Sequence, residues 1–502
     1  MDRAKDSAGD RSEAARPRAA GAGSDFLQLS LGDAPPGGIT EWLARRLRGA
    51  IADGRLPVGS RLPATRVLAA ELRVSRGVVT EAYQRLSEDG HVAGHGRNGT
   101  VVVAAPVGVA ERADGPREEG GGPLFTATPG PEAFDTLRTA PARIDLSPGA
   151  PDLAAFPRAA WLRAERAVLA DMPATSLRYG DPRGAPELRR AVAHWLARNR
   201  GIGCEPADVL ITSGVAQGIG LLADALRREG VTAMAFEEPG SLGVRQHLVA
   251  GGFATPPVRV DEQGVRVDDL LACGAAAVLL TPAHQFPTGV VLGGERRRAL
   301  MRWAADGGLI VEDDYDAEHR YGRPPAPALR AMLGEGVCYA GSVSKLLAPA
   351  MRIGWLIAPT RYREPLVTAK RFADLGNAAL PQLVLARLME SGTLERHLRV
   401  LRTRHRRRRD VMINAVRAHL PGAVVHGAAA GLHLMVTFGE DAPWDDRALA
   451  EAALALGVKA HPLSWHRQLP GAPGLVLGYA SSGTAEIAEG VGLVGKALAT
   501  LR

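Results

Sequence analysis

The sequence predicts an α/β protein in two parts: a small winged helix-turn-helix head and a large domain around a mainly parallel sheet. Three observations carry this. Residues 37–104 are helix-rich and end in a strand-like TVVVAA. Residues 105–143 are rich in Gly, Pro, Ala and charge, the composition of a linker. From 144 to 502, helical stretches such as APELRRAVAHWLARNR alternate with short apolar runs such as AAAVLLT and GLIVEDD, as helices packed on a parallel sheet require.

The chain has 502 residues, enough for two or three domains. Hydrophobic residues make up 46% and charged residues 23%, which supports a large core without disulfide or metal staples. Cys204, Cys273 and Cys338 lie far apart and form no CxxC pair, which argues against zinc or disulfide frameworks and fits a reducing cytoplasm. Residues 1–36 read as a disordered lead, charged and small at the start, with no apolar core of a signal peptide. No apolar run approaches the roughly 20 residues that span a bilayer, so no membrane partner is expected. The net charge of +7 leans toward anionic partners.

In the head, EWLARRLRGAIAD sets Trp42, Leu43, Leu47, Ala50 and Ile51 on one helical face. GRLPVGSRLP breaks the helix with Gly and Pro, and ATRVLAAEL makes a second, short one. RVS is a tight connection. SRGVVTEAYQRLSEDG makes a third helix, with Ser75 at its N-cap and Gly90 past its end. HVAGHGRNGTVVV reads as two short strands around a turn. Two short helices joined by a tight turn and followed by a hairpin can enter a DNA major groove by the start of the second helix. Residues 37–105 hold ten arginines and six acids, a net +4, so this small part carries more than its share of the positive charge that phosphate contacts need.

The segment GRLPVGSRLPATRVLAAELRVSRGVVTEAYQRLSEDG resembles the GntR-type winged-helix domain over nearly its whole length. The resemblance implies operator DNA as a partner and DNA contacts from Arg66, Ser75, Arg76, His95 and Gly96.

The large domain contains four of the chain's five lysines, and only Lys345 has a distinctive setting. In YAGSVSKLLAPAMRIGWLIAP an apolar strand reaches a Ser-rich turn, then Lys345, then Arg352 and another apolar strand. Burial there lowers an amine's pKa. Ser342, three before, and Arg352, seven after, are spaced to reach a phosphate. In GLIVEDDYDAEHR a strand ends at Glu312, and Asp313, Asp314, Tyr315 and Asp316 follow. Ligands of open α/β sheets gather at such carboxyl ends. A carboxylate there can pair with a pyridinium, and a tyrosine two residues on can bond a ring oxygen; the same run also fits a solvated acidic loop. In VLITSGVAQGIGLLADAL a strand runs into Gly214, Val215, Ala216 and Gln217, where a helix start presents free N–H groups to an anion. That turn also fits a plain strand-to-helix connection.

Together these segments, with YGDPRGAPELRRAVAHWLARNRG and TPAHQFPTGVVL, resemble fold-type I aminotransferases. With both modules in one chain, the likeness is to the MocR branch of GntR regulators, over about 40–100 and 144–485. The resemblance implies pyridoxal 5′-phosphate as cofactor, with Lys345 as the Schiff-base lysine and catalytic residue, and Asp313 as the partner of the pyridine nitrogen. It implies that Tyr315 bonds the ring oxygen. Ser342, Arg352 and the Gly214–Gln217 turn would hold phosphate, and Tyr179 would reach the phosphate of the partner subunit in a homodimer.

Four features bear on function. The family often has a ring-stacking aromatic where this chain has Ser241. The asparagine usual before PTG is Phe286, with His284 and Gln285 as nearby polar substitutes. The late strand GLVLGYASSG lacks the arginine that holds a substrate carboxylate, which leaves only Arg467 as a poor replacement. The run RTRHRRRRD lies in a long helical stretch with Leu394, Leu398 and Leu401 on its apolar face, and reads as a solvated helix face. The expected function is a cytoplasmic transcription regulator that senses an amino compound or pyridoxal phosphate itself, with weak or no transaminase turnover. The alternatives are an active aminotransferase carrying a DNA-binding module, and a DNA-binding protein whose cofactor site serves only as a dimerisation scaffold.

Overall fold

The computed structural model describes residues 23–24, 26–35, 37–94, 99–104, 124–321 and 326–501. The chain divides into two bodies, Met1–Gly120 and Gly121–Arg502.

In the first body, helices α1 (Ile39–Ala52), α2 (Thr65–Leu72) and α3 (Arg76–Glu88) precede an antiparallel pair, β1 (Val92–Gly94) and β2 (Thr100–Val102), with Val92 opposite Val102. The face read from the sequence of α1 is the buried one: Trp42, Leu43, Leu47, Ala50 and Ile51 pack with Leu68, Leu72, Val79, Tyr83 and Leu86. Arg73, in the left-handed region at φ 53, closes α2 and turns the chain into α3. Ser75 occupies the N-cap position of α3, but its side chain makes no capping hydrogen bond. The disordered lead expected for 1–36 needs correction at its end. Gly23–Ser24 pairs with Leu29–Ser30, and Leu29 is buried in the head's core. The apolar FLQLSL supplies that contact, which the charged composition upstream obscured.

The second body is built on an eight-stranded sheet: β3 (Val209–Thr212), β4 (Met234–Glu238), β5 (Pro257–Asp261), β6 (Gly264–Val265), β7 (Ala277–Leu280), β8 (Leu309–Asp314), β9 (Val337–Ser342) and β10 (Gly354–Ile357). Their order is β3-β10-β9-β8-β7-β4-β5-β6. The sheet is mixed. Strands β9, β8, β7, β4 and β5 run parallel, while β10 is antiparallel to both neighbours and β6 to β5. The central strands are buried along their whole length, which is why they read as unbroken apolar runs rather than alternating ones. Polar residues enter them only at the carboxyl ends: Glu237 and Glu238 on β4, Glu312 to Asp314 on β8, Ser342 on β9.

A smaller antiparallel sheet, in the order Val424–His426, His433–Thr437, Gly474–Gly478 and His461–Pro462, packs with the helices Asp446–Ala455 and Thr484–Leu501. The linker expected for 105–143 is shorter at its far end. Ala133–Thr139 is helical, and Phe125, Ala133 and Leu137 are buried in the same core as Leu434 and Trp465. Ile144–Asp145 pairs in parallel with Val458–Lys459. One short helix with two buried residues among Gly and Pro has too little periodicity to stand out in sequence.

Candidate functional site

The strand ends of β8, β9, β10 and β3 gather the residues that the sequence singled out. Ser342 lies opposite Gly354, and Gly354 opposite Thr212, so Ser342, Arg352 and the Ser213–Gly214 turn share one end of the sheet.

Lys345 lies in the turn after β9. Its Nζ donates to the Gly149 carbonyl, and its own carbonyl accepts from His319 Nε2 at 3.2 Å. Burial pulls the amine below the usual lysine range, and Asp316 and then Asp313 pull it back up. Asp313 is 7% exposed, and its Oδ1 has no hydrogen-bond partner among the described residues. Burial first, then the neighbouring Asp314, push its carboxyl up to about 7. Leaving a buried polar atom unpaired costs about 1–3 kcal/mol, so a cationic donor placed there removes a real penalty. Asp314, one residue on and facing the other side of the sheet, is engaged through one oxygen: Arg200 Nε lies 2.5 Å and Tyr339 Oη 2.6 Å from its Oδ2, while its Oδ1 is unpaired among the described residues. Of the two acids, Asp314 is held by a guanidinium and a phenol, and Asp313 is the one without a cationic or hydroxyl partner among the described residues.

Tyr315 Oη is 3.0 Å from His284 Nδ1, which is also 2.9 Å from Asp316 Oδ2. Burial and then Asp316 hold the phenol well above its usual range. Gly214 caps the helix Val215–Arg228 at φ 84, and a Cβ there would lie 3.2 Å from the Arg352 guanidinium. Arg352 Nη2 donates to the Ser213 carbonyl, and Asn377 Nδ2 donates to Ser213 Oγ at 2.9 Å. The turn thus opens the first N–H groups of a helix beside a guanidinium, an anion-binding arrangement. The side chain of Gln217 is spent elsewhere. It accepts from Ser213 N at 2.7 Å and from the buried Lys370 Nζ at 3.0 Å, and donates to Asp374 at 2.8 Å. Like Val215 and Ala216, it can offer a ligand its main chain. Ser342 is buried, and its Oγ accepts from Ser344 N at 3.3 Å. Tyr179 is 89% exposed and stands out from the body.

The features that bear on function have local reasons. Ser241 is the N-cap of the helix Leu242–Ala250, its Oγ accepting from Val244 N at 3.5 Å. Gln285 is a structural hub: its Nε2 donates to the Pro239 and Phe286 carbonyls, and its Oε1 accepts from Thr288. His284 is the substitute that reaches Tyr315. Arg467 is tied to the Ala472 carbonyl within its own loop. The arginine run lies on the 27-residue helix Thr393–His419, with Leu394, Leu398 and Leu401 buried. Arg404 and Arg408 of that run bind the buried Asp152. Gly149 and Asp316 were not singled out in sequence. Asp316 stood in the acidic run, but nothing local distinguished it from its neighbours.

On the head, Arg66 and Arg76 are exposed, and Arg76 Nε donates to Thr65 Oγ1 at 3.2 Å, tying the start of α3 to the start of α2. Neither has a carboxylate partner among the described residues. Arg46, Arg48, Arg55 and Arg85 are paired with Asp33, Asp89, Asp53 and Glu41. Ser75 is exposed beside them. His95 and Gly96 lie outside the described residues.

Comparison with known proteins agrees with both halves. Residues 142–461 match the family model of aminotransferase class I and II, and residues 39–102 that of bacterial regulatory proteins of the gntR family. The probable rhizopine catabolism regulatory protein MocR of Rhizobium meliloti is 30% identical, over 89% of this chain and 91% of its own. The HTH-type pyridoxine biosynthesis transcriptional regulator PdxR of Corynebacterium glutamicum is 32% identical, over 88% and 91%. Among solved structures, the α-aminoadipate aminotransferase LysN of Thermus thermophilus, complexed with N-(5′-phosphopyridoxyl)-L-leucine, superposes with a TM-score of 0.66 at 26% identity, over 73% of this chain and 94% of its own. No helix among the described residues is long and apolar enough to cross a membrane.

Proposed function

This chain belongs to the MocR subfamily of GntR regulators, and from that premise we propose that one body reads operator DNA while the other holds pyridoxal 5′-phosphate and answers to an amino compound, or to the cofactor itself. It is a DNA-binding transcription regulator, acting where its operator is, in the cytoplasm.

The residues present fit the cofactor. The unpaired Oδ1 of Asp313 waits for a protonated ring nitrogen, and the Gly214 turn leaves open the volume that a Cβ would take beside Arg352. When bound, the cofactor supplies an aldehyde that condenses with amines and a ring that draws electrons. Lys345 presents an amine that burial holds closer to neutral, the form that attacks a carbonyl. Asp313 would accept from the ring nitrogen, and Tyr315 would donate to the ring oxygen. The N–H groups of Val215, Ala216 and Gln217, with Ser342 and Arg352, would hold the phosphate. With its amine free, Lys345 holds the Gly149 carbonyl, so an amino compound that competed with Lys345 for the cofactor would change that contact. A ligand that favours one of two states shifts operator affinity through that difference alone.

A homodimer suits this body. Leu162, Leu169, Leu177, Tyr179 and Phe372 are exposed apolar or aromatic groups of the kind a partner subunit covers. On the head, Arg66, Ser75 and Arg76 would contact DNA, together with His95 and Gly96.

The single observation that carries the cofactor assignment is the half-buried Lys345 amine, on which Asp313, a buried carboxylate with an unpaired oxygen, acts. Borohydride reduction of the purified protein tests it. The native chain should retain pyridoxal phosphate covalently and Lys345→Ala should retain none; equal trapping in both refutes the assignment.

A further inference from the structure

His284 follows β7 and is 1% exposed. Its Nδ1 faces two oxygens at once, Asp316 Oδ2 at 2.9 Å and Tyr315 Oη at 3.0 Å. Two glycine backbones lie close to the ring. Gly431 and Gly289, both at positive φ, bring their backbones against it: a Cβ at Gly431 would lie 2.0 Å from its Cε1, and one at Gly289 3.1 Å from its Nε2. Nε2 is buried without a partner among the described residues. A buried N–H without an acceptor is rarer than a buried acceptor without a donor, so the proton belongs on Nδ1. That N–H then serves the carboxylate and the phenol oxygen together.

Tyr315 has its own proton to place. Asp316 bears directly on the phenol and helps keep it protonated. Asp313, Glu237 and Lys345 also face this network, and so does His433, whose ring centroid is 5.3 Å from that of His284. Burial, then His284, keep His433 neutral down to about 3, so it brings no competing charge.

We propose that His284 is a positioning residue of the cofactor site: by giving its Nδ1–H to Asp316 and to the Tyr315 oxygen, it occupies the carboxylate that would otherwise capture the phenol's hydrogen, and so leaves that hydrogen turned to the ring oxygen of the cofactor. This role presupposes that Lys345 holds pyridoxal phosphate beside Tyr315. It makes the HQ dipeptide before FPTG two different devices, Gln285 holding the loop and His284 orienting the chemistry.

The test is a pH titration of the visible absorption band of the cofactor-loaded full-length protein. A donor on the ring oxygen favours the deprotonated chromophore, in which that oxygen carries most negative charge, so losing the donor raises the midpoint. Tyr315→Phe sets the full size of the effect. His284→Leu should raise the midpoint by about one pH unit, the scale of one hydrogen bond to a charged group. His284→Asn, which keeps a side-chain N–H at the place of Nδ1, should stay close to the native value. His284→Gln, whose amide sits toward Nε2, should behave like the leucine variant and replaces it if leucine unfolds the body. In the Tyr315→Phe background, removing His284 should add nothing. A native midpoint in the variants that lack the donor, or a full additional shift on top of Tyr315→Phe, overturns the role. So does a midpoint that moves with added zinc or a chelator, because His284, Asp316 and His433 bring one ligand atom each within 4.8 Å and a cation would then own them. Absence of a Lys345-dependent band from the native protein is a separate outcome: it overturns the cofactor assignment, and this role with it.

Discussion

The two bodies treat charge in opposite ways. Among the described residues of the head no charged side chain is buried, and its arginines divide into those neutralised by nearby acids and those left facing out, Arg66 and Arg76 among them. In the aminotransferase-like body, Arg200, Glu237, Glu312, Asp313, Asp314 and Lys370 are all buried around the carboxyl ends of the strands. An exposed arginine acts through a long-range, salt-screened field and tolerates error in its placement. A buried charge must be matched within hydrogen-bond distance or it costs several kcal/mol. Substitutions in the first body should therefore change affinity by degrees, and those in the second should act sharply and locally.

The largest effect expected from this contrast is at Arg200. Its removal leaves Asp314 buried and uncompensated, so Arg200→Met should lower the unfolding free energy by about 3–5 kcal/mol, read by denaturant melts. Removing the exposed Arg46–Asp33 pair should change stability by no more than about 1 kcal/mol. Similar losses at the two sites would erase the contrast.

Next comes Asp313. Replacement by Asn removes a charge-assisted bond to the ring nitrogen, worth about 1.5–3 kcal/mol, and should weaken cofactor affinity roughly 10- to 150-fold in equilibrium titration. The same change carries a pH signature in the cofactor-free protein. The unfolded chain ionises Asp313 near 3.8, and the folded body only near 7. Its contribution to stability is thus fully present below pH 3.8 and is lost as the pH climbs through about 7. Asp313→Asn should lack that part of the decline; an unchanged pH profile would remove the buried-carboxyl account.

On the head, Arg76→Ala should weaken operator binding by about 1–3 kcal/mol if it meets a base edge. The smallest expected change is at Arg66. As a phosphate contact, its alanine variant should reduce the salt slope of binding by about one and weaken all DNA sequences alike. Sequence-selective loss at Arg66 with uniform loss at Arg76 would reverse the two assignments.

The same contrast explains what was legible in the sequence. The buried face of α1 and the unbroken apolar strands β7 and β8 are local patterns and were readable. Lys345 stood out because lysine is scarce. The choice between Asp313 and Asp314 had no local basis, since it is made by Arg200, which a distant helix brings in. The use of Gln217 by Lys370 and Asp374 is equally non-local, as is the clamp of two glycines on His284. The first turn of order in the lead and the helix Ala133–Thr139 were missed because each buries only one or two side chains amid loop-like composition.

The link between the bodies is tested most directly by operator affinity, measured at fixed salt with and without pyridoxal phosphate, in the native chain and in Lys345→Ala. The cofactor should change the native affinity by about 5- to 150-fold, the usual range of coupling between sites, and should leave the alanine variant unmoved. Equal affinities under all four conditions, with the native protein shown to be loaded, would contradict a regulator governed through that lysine.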